Sequence, residues 1–499
     1  MSTIRRQSII SSVIVYGGFA LGFLNTILFT KWFTPDQYGL IGMFMAMANV
    51  MYSFANLGMQ NYIYKFYPYY NDNLSVKEND MMSWALLTSF LGFILVMTGG
   101  LAFKDLVVRK YEAQSADFVK YYYWTFLFGF GLTFFSLLEA FAWQLKKSVL
   151  TTYLREAQFR LFTLVLILLS FAGILKSFDT FIKIFAFTYI LTALILLIYL
   201  VVEKKLYFHF SPSRVSKKFF RKIVTQASLV WSGSLVYNIS TYFAQFVIAA
   251  VVPGGLAFVG VFNLAYNIAS LIQAPQRVII AAAIAPLSQA WKDKDYGKIN
   301  RIYHRSSINQ LIFSVGMFVL IWINFTDGVL TFHLRNDYLA ARYVFLFIGL
   351  MRIIDMGTGL NSQMIATSTF WRFDFFTGIT LVVLTLPLNY VLAKKWGVTG
   401  PAIADLVTFT IYNGIRCGFL YVKFKMQPFT FKSLYTLFLG LAGYFICHIL
   451  FESYHGFPGL FLRSIVFIGI FGSGVIGLHL SEDVLPVWNT LKKRMGMGK

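Results

Sequence analysis

Amide, hydroxyl and charged side chains recur at helical spacing inside otherwise apolar stretches of this sequence. Asn49, Ser53, Asn56 and Gln60 share one face of a helix, as do Ser234, Asn238, Thr241 and Gln245. Further stripes read Asn263, Asn267, Ser270, Gln273 and Arg277; Arg352, Asp355, Gly359 and Gln363; and Asp405, Thr408, Tyr412 and Arg416. A shorter one holds Thr133, Ser136 and Glu139. Such stripes can do three things in an apolar setting. Amides and hydroxyls can hydrogen-bond a polar cargo, arginines can meet an anion, and carboxylates can carry a proton or bind a cation. The plainer alternative is hydrogen bonding between helices that holds a bundle together. Stripes on several helices, most of them with a charge, favour a water-filled cavity.

Each charge has two readings. Arg277 lies beyond Pro275, which is expected to kink its helix; it either snorkels to the membrane surface or contacts an anion. Arg352 and Asp355 sit at a spacing that lets them pair with each other. Asp405 and Arg416 are too far apart along one helix to pair. Glu139 is the only carboxylate in the interior of the apolar runs of the first half, Glu156 standing at the edge of its run, and a lone buried carboxylate tends to hold its proton. Lys31, Lys183 and Arg463 fall near helix ends and read as interface anchors, and the run Tyr121, Tyr122, Tyr123, Trp124 reads as an aromatic belt.

Catalytic signatures do not occur. The chain has no Gly-x-x-x-x-Gly-Lys-Ser/Thr phosphate loop, no His-Glu-x-x-His and no Gly-x-Ser-x-Gly. Its two cysteines, Cys417 and Cys447, lie in apolar runs, and its six histidines are scattered without metal-ligand spacing. We therefore expect no catalytic residues, no metal and no cofactor, and a protein that is not an enzyme.

The elements that must position these residues follow from composition. Of 499 residues, 58% are hydrophobic and only 13% charged, where soluble domains average about 25% charged. That excludes a soluble enzyme, a disordered chain and a disulfide scaffold. About fourteen runs are long enough to cross a bilayer. They cover roughly 9–30, 38–62, 81–103, 121–143, 153–175, 180–202, 223–252, 257–287, 308–330, 339–368, 375–392, 398–420, 433–451 and 459–480. Continuous rather than alternating apolarity predicts an all-α polytopic membrane protein, not a barrel. The first run is too long for a signal peptide and is read as an uncleaved helix. The net charge of +22 sits mainly in short loops, so anionic lipid explains it better than nucleic acid. Lys and Arg divide about 28 to 10 in favour of one side, which predicts both termini in the cytoplasm. The segment 104–120 runs against that rule.

The most basic loop, 203–222, follows the sixth run. Pro35, Gly42, Phe44 and Asn49 recur at identical spacing as Pro253, Gly260, Phe262 and Asn267, and Thr163-Leu164-Val165 recurs as Thr380-Leu381-Val382 at nearly the same offset. A common offset implies two parallel six-helix halves. The expected domains are an N-terminal lobe over 1–202, a basic cytoplasmic linker over 203–222, a C-terminal lobe over 223–420, and two extra helices with a basic tail over 421–499.

Several stretches carry a family resemblance. Arg5-Arg6-Gln7-Ser8-Ile9-Ile10 leads into the first run; Phe33-Thr34-Pro35-Asp36-Gln37-Tyr38-Gly39-Leu40 and Ala55-Asn56-Leu57-Gly58-Met59-Gln60 follow. Ala274-Pro275-Gln276-Arg277, Ala285-Pro286-Leu287, Ala290-Trp291 and Gly397-Val398-Thr399-Gly400-Pro401-Ala402-Ile403-Ala404 fit as well. Together they resemble the polysaccharide (O-antigen type) flippases of the multidrug/oligosaccharidyl-lipid/polysaccharide exporter superfamily, over about residues 1–425. The resemblance implies two lobes forming a V, a cavity that opens alternately to each side, and a glycan on a polyprenyl diphosphate as cargo. Of the cationic residues that meet the diphosphate in relatives, Arg277 alone falls in a matching stretch. The basic residue relatives carry within the first helix is missing here.

On that reading Arg277, Arg352 and Arg416 offset the diphosphate, while Asn49, Asn56, Asn238, Asn263 and Asn267 hydrogen-bond sugar hydroxyls. Glu139, Asp355 and Asp405 are the candidates for coupling to a cation. The expected partners are the lipid-linked oligosaccharide, membrane lipids and other polysaccharide-assembly membrane proteins, with no nucleic acid, in a prokaryotic inner membrane. Two alternatives remain: a multidrug/cation antiporter of the same superfamily, which the many Phe suit but three cavity arginines do not, and a membrane-embedded glycan polymerase. No outer loop exceeds about twenty residues, too short for the extracytoplasmic catalytic loop such polymerases usually need.

Overall fold

With no water in hydrocarbon to satisfy backbone groups, the apolar runs must close their hydrogen bonds internally, and they do so as helices. The computed structural model describes residues 3–483, with side chains from Ile14 onward except at Tyr16, Tyr237, Arg277, Val278, Ala281, Ala282, Ala285, Trp371 and Phe375. Among the described residues there is no strand. Ten helical segments among the described residues are long and apolar enough to span a membrane. The runs at 9–30, 153–175, 339–368 and 398–420 lie outside that set and are also built mainly of helix. Packing divides the chain into two compact units, Met1–Gly260 and Val261–Lys499.

The first unit opens with α1 (Thr3–Trp32) and α2 (Pro35–Ala55). A capping box starts α2: the Thr34 hydroxyl accepts from the Gln37 N–H, and the Gln37 side chain accepts from the Thr34 N–H at 3.0 Å. Gly58, with φ +77°, turns the chain into α3 (Met59–Asn73). α4 (Met81–Ala102), the short α5 (Lys104–Tyr111) and α6 (Ala116–Lys120), and α7 (Tyr122–Gln144) come next. α8 (Ser148–Thr152) runs through a π-helical turn, Tyr153–Gln158, into α9 (Phe159–Phe171). α10 (Phe178–Phe185), α11 (Thr188–Val202) and the long α12 (Arg214–Val251) complete the unit, and α13 (Gly255–Ser270) begins in it.

α7 is the central post of this unit. It packs on α2, α4 and α11, and sixteen of its residues are buried. Small residues set how closely its neighbours approach. A Cβ on Gly131 would lie 2.4 Å from the Ile190 nitrogen, and one on Gly39 of α2 would lie 1.8 Å from the Leu256 carbonyl of α13. Rings of Phe44, Phe128, Phe159, Phe185 and Tyr189 fill the space between.

In the second unit a single 3-10 turn, Leu271–Gln273, separates α13 from α14 (Ala274–Lys292). Pro275 therefore sits in the first turn of a new helix rather than at a kink inside one long helix. α15 (Tyr296–Thr331), α16 (Ala341–Gly357), α17 (Asn361–Thr367), α18 (Trp371–Trp396) and α19 (Thr399–Phe424) follow, then α20 (Phe431–Phe451) and α21 (Gly456–Gly477). α19 lies against both α16 and α18, and α20 and α21 pack together on α15. Arg463 of α21 is not an interface anchor: it is buried and forms an ion pair with Asp327 of α15.

Candidate functional site

In the first unit the polar side chains gather around α7. Glu139 is 1% exposed, and Arg155 meets its carboxylate at 2.5 Å. Arg155 comes from the π-helical turn, which inserts an extra residue and re-aims the side chains around it. Its guanidinium also lies 5.6 Å from the Phe135 ring centroid. Glu139 is thus not the solitary carboxylate the sequence suggested. Arg160, one turn on, pairs with Glu156 at 2.9 Å, and its guanidinium lies 5.5 Å from the Phe19 ring centroid on α1. A Cβ on Gly18 would come within 2.8 Å of its Nη1, and Asn25 donates to its carbonyl at 2.8 Å. The first helix carries no charge across 9–30, yet the fifth run lays one against it.

Asn56 sits in a chain of amides and phenols. Its Nδ2 donates to the Tyr52 hydroxyl at 3.3 Å, the Tyr52 hydroxyl donates to Gln60 Oε1, and Gln60 Nε2 donates to the Tyr64 hydroxyl at 3.1 Å. Asn56 is buried, whereas Asn49 and Asn238 are half-buried. Each of those two donates within its own helix, to the Met45 carbonyl at 2.7 Å and the Ser234 carbonyl at 3.0 Å. Trp231 Nε1 donates to the Ser53 carbonyl at 2.8 Å and so ties α12 to α2.

The second unit holds a larger network. Asp355 accepts from Gln273 at 3.3 Å, Gln276 at 3.1 Å and Asn413 at 3.2 Å. Asn413 Oδ1 in turn accepts from Asn361 at 2.9 Å and Thr358 at 3.2 Å. The expected Arg352–Asp355 pair does not form. Three amide donors hold the carboxylate, and Arg352 lies buried with its guanidinium 5.3 Å from the Tyr266 ring centroid. Its Nε has no hydrogen-bond partner. On α19, Asp405 accepts from Asn389 of α18 at 3.3 Å. Arg416 pairs with Asp374 of α18, donates to Thr377 at 3.3 Å and lies 3.8 Å from the Tyr412 ring centroid. A carboxylate therefore already compensates Arg416.

Asn263 is buried in α13, and Asn267 is exposed with its carbonyl accepting from Ser270 at 2.6 Å. The backbone of Arg277 lies in α14, and its side chain is outside the described set. Sequence reading missed Arg155, Asp374, Asn389 and Asn413 as partners. Asn413 lies on the next turn after Phe409 in the same helix as Arg416, and its amide type was the available signal; Arg155 and Asp374 lie at run edges, where a charge gives no sign of a partner. Among the described residues no three of His, Cys, Asp and Glu converge as a metal site.

Comparison with known proteins matches the residues 4–292 to the polysaccharide biosynthesis protein family model. None of the curated protein sequences compared matches the chain. Among solved structures, the fold is similar to the lipid II flippase MurJ in an inward closed conformation. The TM-score is 0.73 at 16% identity, over 93% of this chain and 98% of that one. It is also similar to an inward-facing multidrug resistance MATE transporter of the MOP superfamily, with a TM-score of 0.63 at 15% identity over 84% of this chain and 97% of that one. A MATE structure in a straight conformation gives 0.51 at 17% identity, over 85% and 95%. At such identities the structures establish the fold, a polytopic helical transporter fold. The family model spans more than half of the sequence, and by that match the chain belongs to the polysaccharide biosynthesis protein family.

Proposed function

We propose that this protein is a flippase that moves a polyprenyl-diphosphate-linked oligosaccharide from the inner to the outer leaflet of a prokaryotic cytoplasmic membrane. The observation that carries the reading is the fold shared with a lipid II flippase over 93% of the chain, in a member of the polysaccharide biosynthesis family. The headgroup is too polar to cross hydrocarbon unaided. The domains on this reading are two lobes, 1–202 and 223–420, joined by a basic linker over 203–222, with 421–499 as an added pair and both termini in the cytoplasm. Bonds in the cargo are unchanged, so the protein works as a transporter and not as an enzyme.

Arg277 and Arg352 offset the diphosphate; Arg416 joins them only if it leaves Asp374. Asn49, Asn56, Asn238, Asn263 and Asn267 serve the sugars, and Glu139, Asp355 and Asp405 are the candidates for cation coupling. The test is a deletion strain in which lipid-linked glycans are extracted and assigned to a leaflet with a periplasm-side probe on spheroplasts. Complete units trapped on the inner side support flipping; wild-type outward exposure without a compensating flippase sinks it. Arg277→Ala that leaves glycan export at wild-type level removes the diphosphate role from that residue. The second reading, a multidrug/cation antiporter, draws on the similarity to MATE transporters. Drug efflux that falls in the deletion strain while glycan export holds would favour it.

A further inference from the structure

α3 and the foot of α12 are locked together beside a basic, ring-walled groove that the transport reading does not use. Asp80 accepts from the Ser213 N–H at 2.9 Å and the Ser216 hydroxyl at 2.7 Å. The Ser216 hydroxyl lies 2.6 Å from that of Tyr70, and Arg214 donates to the Asn73 carbonyl at 2.8 Å. Next to this lock is a cavity of about 600 Å³. Its wall is aromatic, with Phe219 packed on Phe66 and Tyr69 at ring-centroid distances of 6.0 and 5.0 Å. Lys65, Arg221 and Lys222 line it, and no carboxylate does. Among the described residues none of these three cations is within 4.0 Å of a carboxylate. Gln226, on the same lining, has an amide oxygen without a hydrogen-bond partner. Leu229, also on the lining, stands exposed.

We propose that this groove binds the headgroup of an anionic phospholipid of the cytoplasmic leaflet. The phosphate meets Lys65, Arg221 and Lys222, and an acyl chain runs along Leu229. Unpaired cations at a membrane surface attract anionic lipid by about 1 kcal/mol each, and the fixed aromatic wall gives the headgroup a seat rather than a diffuse patch. The inference rests on the topological part of the reading above, which puts 203–222 in the cytoplasm, and not on the identity of the cargo.

The test is native mass spectrometry of the full-length protein with phosphatidylglycerol, phosphatidylcholine or a polyprenyl diphosphate. The wild type retains phosphatidylglycerol in preference to phosphatidylcholine. The triple variant Lys65→Gln, Arg221→Gln, Lys222→Gln loses roughly a hundredfold in that affinity. An outer-segment control, Lys104→Gln, Arg109→Gln, Lys120→Gln, keeps it. If the triple variant fails to fold, Lys222→Gln alone is read for a loss of about fivefold. Wild-type phosphatidylglycerol affinity in the variants overturns the proposal. So does a polyprenyl diphosphate that displaces phosphatidylglycerol and is itself lost in the triple variant, since the groove would then belong to the carrier. Lipid binding is read without transport, so a failed flipping assay leaves this result intact.

Discussion

Arg416 was expected in a cavity and is found in an ion pair, and the two roles separate by experiment. Its side chain is 5% exposed and that of its partner Asp374 is 28% exposed. Removing one member of a buried pair costs about 3–5 kcal/mol, because the other charge is left without compensation. The partial exposure of Asp374 places Asp374→Leu near the lower end, about 3 kcal/mol, or roughly a hundredfold in the unfolding equilibrium. Thr377 and the Tyr412 ring remain to Arg416 and do not replace a carboxylate. Arg416→Met strands the more exposed partner, which keeps the Ser362 hydroxyl at 3.3 Å, and costs about 1–2 kcal/mol. Replacing both by apolar residues is close to neutral, so the cycle shows a coupling of about 4–5 kcal/mol. The assay is equilibrium unfolding of the purified single and double variants in one detergent. Strict additivity of the single costs would refute the reasoning. Glycan export then adds a second readout: a double variant that regains stability and export assigns Arg416 to holding α19 on α18, and one that regains stability alone assigns it to the cargo.

Glu139→Gln leaves Arg155 without its carboxylate; because the Arg155 side chain is 41% exposed, the cost is discounted to about 1–2 kcal/mol, and a melting temperature equal to wild type would free Glu139 for cation coupling. Gly39→Val drives a Cβ against the Leu256 carbonyl, so thermal stability falls by at least the 1–3 kcal/mol typical of overpacking, about one methylene at a time; an unchanged melt would mean α2 and α13 separate without cost. The hydrogen bond from Arg305, with a further one from Asn309, holds the Asp483 carboxyl below its usual range. A depressed carboxyl stabilises the fold above its unfolded pKa and stops doing so as pH falls through the folded one. The melting difference between wild type and Asp483→Asn should therefore be full at neutral pH and shrink progressively as pH falls below about 4; a difference that does not shrink in acid would mean Arg305 is not the cause.

Apolar runs and the three-to-four spacing of their polar residues made the helices and the stripes legible, because both follow from local geometry. Pro275 likewise announced a break, although the chain restarts a helix there instead of bending one. Partners were not legible. Arg352 and Asp355 sit at pairing distance along one helix, yet Asp355 is captured by amides from 273, 276 and 413, and tertiary donors outweigh a local ion pair. Arg155 reaches Glu139 from a stretch where the helix widens into a π turn, which residue propensities do not mark. Arg463 and Asp327 are 136 residues apart in sequence, and nothing short of the fold brings them together.

These partners also sort the cations available to an anionic cargo. A charge inside a membrane protein needs compensation or a wet cavity. Asp374 compensates Arg416, Glu139 compensates Arg155, and Asp327 compensates Arg463. Arg352 is buried over Tyr266 with no carboxylate within 4.0 Å among the described residues, and the carboxylate its charge reaches is the more distant Asp405. The unmade hydrogen bond of Arg352 makes it a poor contributor to stability, since an unsatisfied buried donor costs about 1–3 kcal/mol. Arg352→Met should therefore leave the melting temperature unchanged or raise it while lowering glycan export, the reverse of what Asp374→Leu does. A loss of stability as large as that of Asp374→Leu would show that Arg352 is held by contacts of its own, and the diphosphate would have to be met elsewhere.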